Sequence, residues 1–170
     1  GFYDAAASPE LFERPQRKDD EALPSGTSLM VVALRAAARL GERPDLATLA
    51  DGALASLHSV LAASPRHSGW GLAELLSDAE AQRDWGPAEV VVVDDSADPM
   101  SEHARAAWRL APWGSVVVSA PVGTQGFGDL FTGRSMRNEQ PTVYVCRGVT
   151  CQEPTTDWAD LRGLLWAGTE

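Results

Sequence analysis

Cys146 and Cys151 are the only cysteines in the chain, and four residues separate them. A pair of thiols can exchange disulfides, hold a metal or lock a turn. Thioredoxin-type chemistry needs Cys-x-x-Cys at a helix N-terminus, where the helix dipole lowers the thiol pKa. Neither the spacing nor the β-rich run Thr142-Val-Tyr-Val145 before Cys146 supplies that setting. A structural zinc takes four ligands. No second Cys/His pair stands near, and His58, His67 and His103 are scattered. The simplest reading is a strand cysteine buried as a small hydrophobe beside a cysteine in a turn. A disulfide across the turn and redox or metal chemistry are the alternatives.

The N-terminal stretch gathers Tyr3, Asp4, Glu13, Arg14, Lys18, Asp19 and Asp20. Carboxylates mixed with arginine and an aromatic ring suit sugar binding or general acid–base work. Tyr3, Asp4, Arg14 and Asp20 are therefore candidate catalytic residues, with Ser25 and Gly26 as candidate substrate-binding residues. A solvated loop face is the plainer account of the same residues. Asp94 and Asp95 end a β-branched run, and ligands of open α/β sheets gather at the carboxyl ends of strands. Ser96-Ala-Asp-Pro99 follows them, which puts another negative charge where a phosphate would sit. Strand-end and cap carboxylates are the simpler reading. Gly123, Gly126 and Gly128 lack the dinucleotide spacing, and neither Gly-x-Ser-x-Gly nor His-Glu-x-x-His occurs. No metal and no cofactor is expected.

These residues need elements to hold them. Residues 1–24, punctuated by Pro9, Pro15 and Pro24, read as a loop of a length usually reserved for sites or partner contacts. Ser25-Gly-Thr-Ser28 offers hydroxyls for a helix start. The helix from Leu29 to Leu40 is apolar on most sides, with Arg35 and Arg39 on one face. Pro44 opens a second helix with a stripe of Leu46, Leu49, Ala53, Leu57, Val60 and Leu61. A third covers Leu72 to Gln82, with Leu72, Leu75, Leu76 and Ala79 on one face and Trp70 and Trp85 flanking it.

After Gly86-Pro87 the period changes. Glu89-Val-Val-Val-Val-Asp94 has the pattern of a strand buried on both faces. A helix from Asp98-Pro99 to Ala111, with Trp108 and Leu110 inward, leads to a second strand over Ser115–Ser119. That is a βαβ unit. A Gly-rich loop over 121–140, a third strand Thr142–Arg147 and a helix Trp158–Trp166 capped by Thr156 or Asp157 complete the reading. The expected fold is mixed α and β. Residues 1–84 form a loop plus helical hairpins, and 85–170 form an α/β part with a mainly parallel sheet of three principal strands.

The chain has 170 residues and a formal net charge of −10. That charge argues against nucleic acid and against anionic membranes as partners, since both reward basic surface. No run approaches the roughly 18 apolar residues of a membrane helix. Two cysteines fit a reducing compartment, so a cytoplasmic location is expected. The start, Gly1-Phe-Tyr-Asp4, has neither a signal-peptide pattern nor an initiator Met, which reads as a piece of something longer.

Two stretches carry a family resemblance. One is Gly1-Phe-Tyr-Asp4 with Arg14-Pro15 and Pro24-Ser-Gly-Thr-Ser28; the other is Tyr144-Val-Cys-Arg-Gly-Val-Thr-Cys151 with Pro154-Thr-Thr-Asp157 and, upstream, Glu89–Val93. In order and spacing they resemble the C-terminal third of the YyaL-type, spermatogenesis-associated thioredoxin-domain proteins. Cys146, Cys151, Pro154 and Thr155 are the signature positions. The chain departs from the family pattern at Gln16, Glu21 and Thr27. The resemblance implies a parent that joins a thioredoxin-like domain to an (α/α) barrel similar to six-hairpin glycosidases and sugar epimerases. This chain would hold the last barrel helices and a terminal α/β portion. The thioredoxin-like domain lies outside it, so that domain's redox motif does not carry over to Cys146 and Cys151. Two functions follow as expectations. The first is a structural or interaction part without catalysis of its own, with the remainder of the parent or a second copy of the chain as partner. The second is part of a carbohydrate-active barrel enzyme, with the 1–24 loop at the mouth and a carbohydrate as ligand.

Overall fold

The structure is a computed structural model that describes residues 1–81, 83, 86–98 and 100–166. Gln82, Trp85 and Pro99, which the sequence places at helix boundaries, lie outside the described residues. The chain divides into two compact units, Gly1–Ala38 with Arg43–Asp78, and Arg39–Glu42 with the chain from Ala79 onward.

The first unit begins with residues 1–25, which contain neither helix nor strand. Helix α1 runs Gly26–Gly41. It starts there because Ser25 Oγ accepts the backbone N–H of Ser28 at 3.1 Å, satisfying one of the orphan donors of a first turn. Helix α2, Pro44–Ala55, opens on a proline whose missing N–H costs nothing at that position. The continuous stripe expected through Leu61 is broken: the chain turns at 56–57, and a short helix α3 covers His58–Ala63. Ser56 Oγ donates to the Ala53 carbonyl at 2.7 Å, an example of a hydroxyl competing for helix acceptors. Val31, Ala53, Leu54, Leu57 and Leu61 form the core of this unit, with Phe2 and Leu72 packed against it.

Helix α4 spans Gly69–Ala79. Its buried residues are Gly71, Glu74 and Ser77, whereas Leu75 and Leu76 face outward with Leu76 62% exposed. The stripe of Leu72, Leu75, Leu76 and Ala79 expected on one face is therefore not the face the helix buries. The reason is electrostatic. Arg35 of α1 donates to the Glu74 carbonyl at 2.9 Å and lies 3.4 Å from Glu74 Oε2, 3.4 Å from Asp51 and 3.2 Å from Asp78. A buried carboxylate needs a paired cation, and satisfying Glu74 turns α4 so that its neighbours Leu75 and Leu76 point away.

The second unit is built on a sheet of order β2-β1-β3-β4, with β1 at Glu89–Val93, β2 at Val116–Ala120, β3 at Thr142–Arg147 and β4 at Thr150–Cys151. Strands β1 and β2 are parallel, joined through helix α5, Glu102–Leu110. Strand β3 pairs antiparallel with β1, and β4 antiparallel with β3. The sheet is therefore mixed, not mainly parallel as expected. The connection explains it. Ala120 and Thr142 both lie beside Val93, so the helix-free segment 121–141 stays at one end of the sheet. No crossover returns the chain for a parallel third strand.

Both faces of β1 are buried, as its unbroken valine run requires. Val90 and Val92 pack with Val117, Val143 and Val145 under Ala107 of α5 and under Leu161 and Leu165 of helix α6, Trp158–Leu165. Val91 and Val93 pack beneath Leu130 and Phe131, with Leu40 and Met136 beside them, so the 121–141 loop, joined by the last turn of α1, covers that face. Trp108 is 54% exposed instead of inward. Only Ala104 and Ala107 of α5 are buried, and small side chains at the contact let the helix approach the sheet without room for an indole.

Candidate functional site

The N-terminal candidates are largely occupied by the fold. Asp20 is buried, and its Oδ1 accepts the Ser25 N–H at 2.8 Å. Its Oδ2 accepts the N–H groups of Trp70 at 2.8 Å and Gly71 at 3.4 Å, at the start of α4. This carboxylate closes a loop and caps a helix, the setting in which an acid needs no substrate to be satisfied. Ser25 is spent on α1: besides accepting from Ser28 N–H, its hydroxyl donates to Ser28 Oγ at 2.9 Å. Asp4 Oδ2 accepts Arg17 N–H at 2.8 Å. Its Oδ1 lies so close to Gly26 that a Cβ there would stand 2.8 Å away. Gly26 is thus a close approach rather than a ligand surface. The Arg14 guanidinium stacks 3.9 Å from the Tyr3 ring centre and donates twice to the Ala5 carbonyl, at 3.1 and 2.9 Å.

A cavity between Asp4 and Ser25 carries charged groups of the loop. It has a volume of about 450 Å³ and carries the carboxylates of Asp4, Asp19 and Glu21 and the guanidinium of Arg17, with Leu23 and Pro24 as its apolar wall. Arg17 pairs with Glu21 at 3.2 Å. Tyr3, Arg14 and Asp20 are not among its lining residues, so the loop does not bring the four catalytic candidates into one cleft.

The cysteines form a disulfide. The reading of two independent cysteines is corrected, and the alternative of a bond across the turn holds. The register gives the reason: Cys146 on β3 faces Cys151 on β4, with Cα atoms 4.0 Å apart. Gln152 N–H donates to the Val145 carbonyl at 3.0 Å, which makes the cysteines a non-hydrogen-bonded pair, the close kind in an antiparallel ladder. Gly148, at φ +56°, opens the tight turn between the strands, a conformation that favours glycine. Cys146 is buried and Cys151 exposed.

Arg134 completes this group, and sequence reasoning did not anticipate it. Its Nη2 donates toward Cys146 Sγ at 3.1 Å and Cys151 Sγ at 3.7 Å, and its Nη1 donates to the Leu130 carbonyl. Its guanidinium also lies 5.6 Å from the Tyr144 ring centre. Burial pushes Arg134 below its usual range, against the opposing pull of Glu89. It remains a cation all the same. Glu89 is the register partner of Cys146 on β1. Its carboxyl is raised by burial, partly offset by Arg39 and Arg134. A cavity of about 220 Å³ adjoins Cys146 and Glu89.

At the carboxyl end of β1, Asp94 is buried, and its Oδ1 accepts the Ser96 N–H at 2.9 Å. Its Oδ2 lies 3.4 Å from His103 Nδ1 without a hydrogen-bond partner among the described residues. His103 packs against Trp158, ring centres 4.3 Å apart. Asp95 accepts the Val122 N–H at 3.3 Å. The fold thus joins His103, scattered in sequence, to the strand-end acid. A histidine in the first turn of the helix that follows Asp94 was the available signal. Among the described residues no group of three or more His, Cys, Asp or Glu is placed to hold a metal. Gly123, Gly126 and Gly128 all have positive φ in the loop over β1 and β2 and make no phosphate cradle at a helix start. No family model matches this chain, and neither a curated protein nor a solved structure does.

Proposed function

We propose that this chain is a structural and interaction part, without catalysis of its own, of a larger thioredoxin-domain protein of the YyaL type. The observation that carries the reading is the use made of the loop's polar groups. Asp20 and Ser25 are consumed by helix caps, and Arg14 and Tyr3 by each other and by the Ala5 carbonyl. A general acid–base pair needs carboxyls that converge on open space. The helical unit meanwhile leaves Leu29 46%, Leu49 49% and Leu76 62% exposed, apolar surface suited to the remaining helices of an (α/α) barrel or to a second copy of the chain. A cytoplasmic setting belongs to the same reading, with neither nucleic acid nor a membrane as partner. The net charge of −10 disfavours nucleic acid and anionic membranes, and among the described residues no helix is long and apolar enough to cross a membrane; the disulfide takes away the support that two free cysteines gave to a reducing compartment.

A second reading has one observation in its favour. The loop cavity lined by Asp4, Asp19, Glu21 and Arg17 has the polar lining of a sugar subsite and fits a fragment of a carbohydrate-active barrel. Calorimetric titration of the chain with neutral oligosaccharides separates the two. The structural reading expects no saturable heat. Saturable binding that Asp4→Asn abolishes would replace it with the carbohydrate reading.

A further inference from the structure

The disulfide is poorly placed to act as a staple. Its cysteines are 5 residues apart, and a cross-link stabilises least where the closed loop is short. The hairpin is already held by main-chain bonds: Gln152 N–H to Val145 O, Val143 N–H to Thr155 O at 2.8 Å, and Thr155 N–H to Val143 O at 3.1 Å. The two sulfurs also differ. Cys151 lies on a two-residue edge strand open to solvent, beside the fully exposed Val149, while Cys146 is 1% exposed. A half-buried guanidinium faces the bond, nearer to the buried sulfur than to the open one. A neutral disulfide gains little from a neighbouring cation, whereas a thiolate gains much.

We propose that Cys146–Cys151 is a thiol–disulfide exchange site for small-molecule thiols, in which Cys151 Sγ receives the incoming thiolate and Cys146 Sγ departs as a thiolate against Arg134. In the first step the bond between Cys151 Sγ and Cys146 Sγ breaks. A bond forms between the external sulfur and Cys151 Sγ, and the electron pair of the broken bond goes to Cys146 Sγ. The product is a mixed disulfide on the open hairpin tip. A second thiol attacks the external sulfur of that adduct and releases Cys151 as a thiolate, which takes a proton from water. Overall, two external thiols are oxidised to one disulfide, and the protein disulfide is reduced to two thiols. A good leaving thiolate speeds such exchange, and the guanidinium 3.1 Å from Cys146 Sγ supplies that quality to the cysteine that is only 1% exposed. Glu89, the register neighbour of Cys146 on β1, is the acidic group on that side, and Arg134 stands between a carboxylate and the departing thiolate as the cation that both can use. This exchange goes beyond the structural reading above and does not depend on it.

The test uses the whole oxidised chain and reduced glutathione as the probe, with acid quenching, alkylation of freed thiols and peptide mapping by mass spectrometry. The expected adduct is glutathione on Cys151 with alkylated Cys146. In denaturant, glutathione should distribute over both cysteines. Arg134→Ala should slow the first exchange step roughly three- to tenfold, the effect of raising the leaving thiol's pKa by about one unit or more. Arg134→Lys should restore most of the rate, which a merely steric role would not allow. The proposal is overturned if the folded chain carries glutathione on Cys146, or equally on both cysteines, or if it forms no adduct where the denatured chain does. It is also overturned if a folded Arg134→Ala exchanges at the wild-type rate. The adduct's position is read on the unsubstituted chain, so the test stands even if Arg134→Ala fails to fold.

Discussion

Asp20 shows how a residue with catalytic credentials becomes structural. Its two oxygens accept three backbone N–H groups, and the residue is only 4% exposed. Removing the carboxylate takes the acceptor from all three, and the buried Ser25 and Gly71 N–H groups would each cost about 1–3 kcal/mol before relaxation. Asp20→Ala should therefore destabilise the first unit by about 3 kcal/mol, read as a lower urea midpoint, and Asp20→Asn by less, since one acceptor oxygen survives. Glu89 makes the opposite case. Burial raises its carboxyl above the unfolded value. Its stabilising contribution is then complete below the unfolded pKa and is lost as pH rises through the folded one. Glu89→Gln removes that loss. The variant should melt above the wild type at pH 7, with the gap closing toward pH 4. A gap that widens on acidification would show that the positive charges of Arg39 and Arg134 outweigh the burial.

At the scale of elements, the caps are the most direct link from sequence to stability. Ser101 Oγ accepts the Ala104 N–H at 3.2 Å, and Asp157 Oδ1 accepts the Ala159 N–H at 2.9 Å. Ser101→Ala, at a buried N-cap, should cost about 1–2 kcal/mol and Asp157→Ala about 1 kcal/mol in denaturant unfolding. Such local rules were legible in part: hydroxyls over Ser25–Ser28 and Thr156 or Asp157 as helix starts, of which Ser25 and Asp157 are the residues that cap, the proline start of α2, and Val90–Val93 as a strand buried on both faces paired in parallel with Val116–Val118. What was hidden depended on tertiary charge or on chain path. The rotation of α4 follows from Arg35 meeting Glu74, 39 residues away in sequence. The antiparallel β3 follows from where the 121–141 loop travels. Arg134 meets the disulfide across a separation of 12 residues that no periodic pattern marks. The cysteine pairing itself was open in sequence, because a turn of unknown register does not say whether the two Cβ atoms share a face.

At the scale of the molecule, charge and exposed apolar surface pull in opposite directions. A net charge of −10 repels a second copy, while Leu29 and Leu49 of the helical unit stand about half exposed, with Met30 and Val32 only partly covered. Each such side chain, once fully buried, is worth about 1.5–3 kcal/mol. A symmetric interface uses each patch twice, so self-association through residues 25–65 is expected. Salt distinguishes its origin. Raising ionic strength from about 0.05 to 0.5 M shortens the Debye length from roughly 14 to 4 Å, screening the repulsion between acidic surfaces while leaving apolar contact intact. Sedimentation velocity should therefore show association that tightens with salt, and Leu29→Glu with Leu49→Glu should weaken it at least tenfold, the equivalent of about 1.4 kcal/mol. Association that loosened with salt would point to ion pairs such as those of Arg17 and Arg43, both exposed in the first unit, as the contacts instead. A monomer at every concentration and salt would remove the second copy as a partner and leave the exposed leucines to other chain segments.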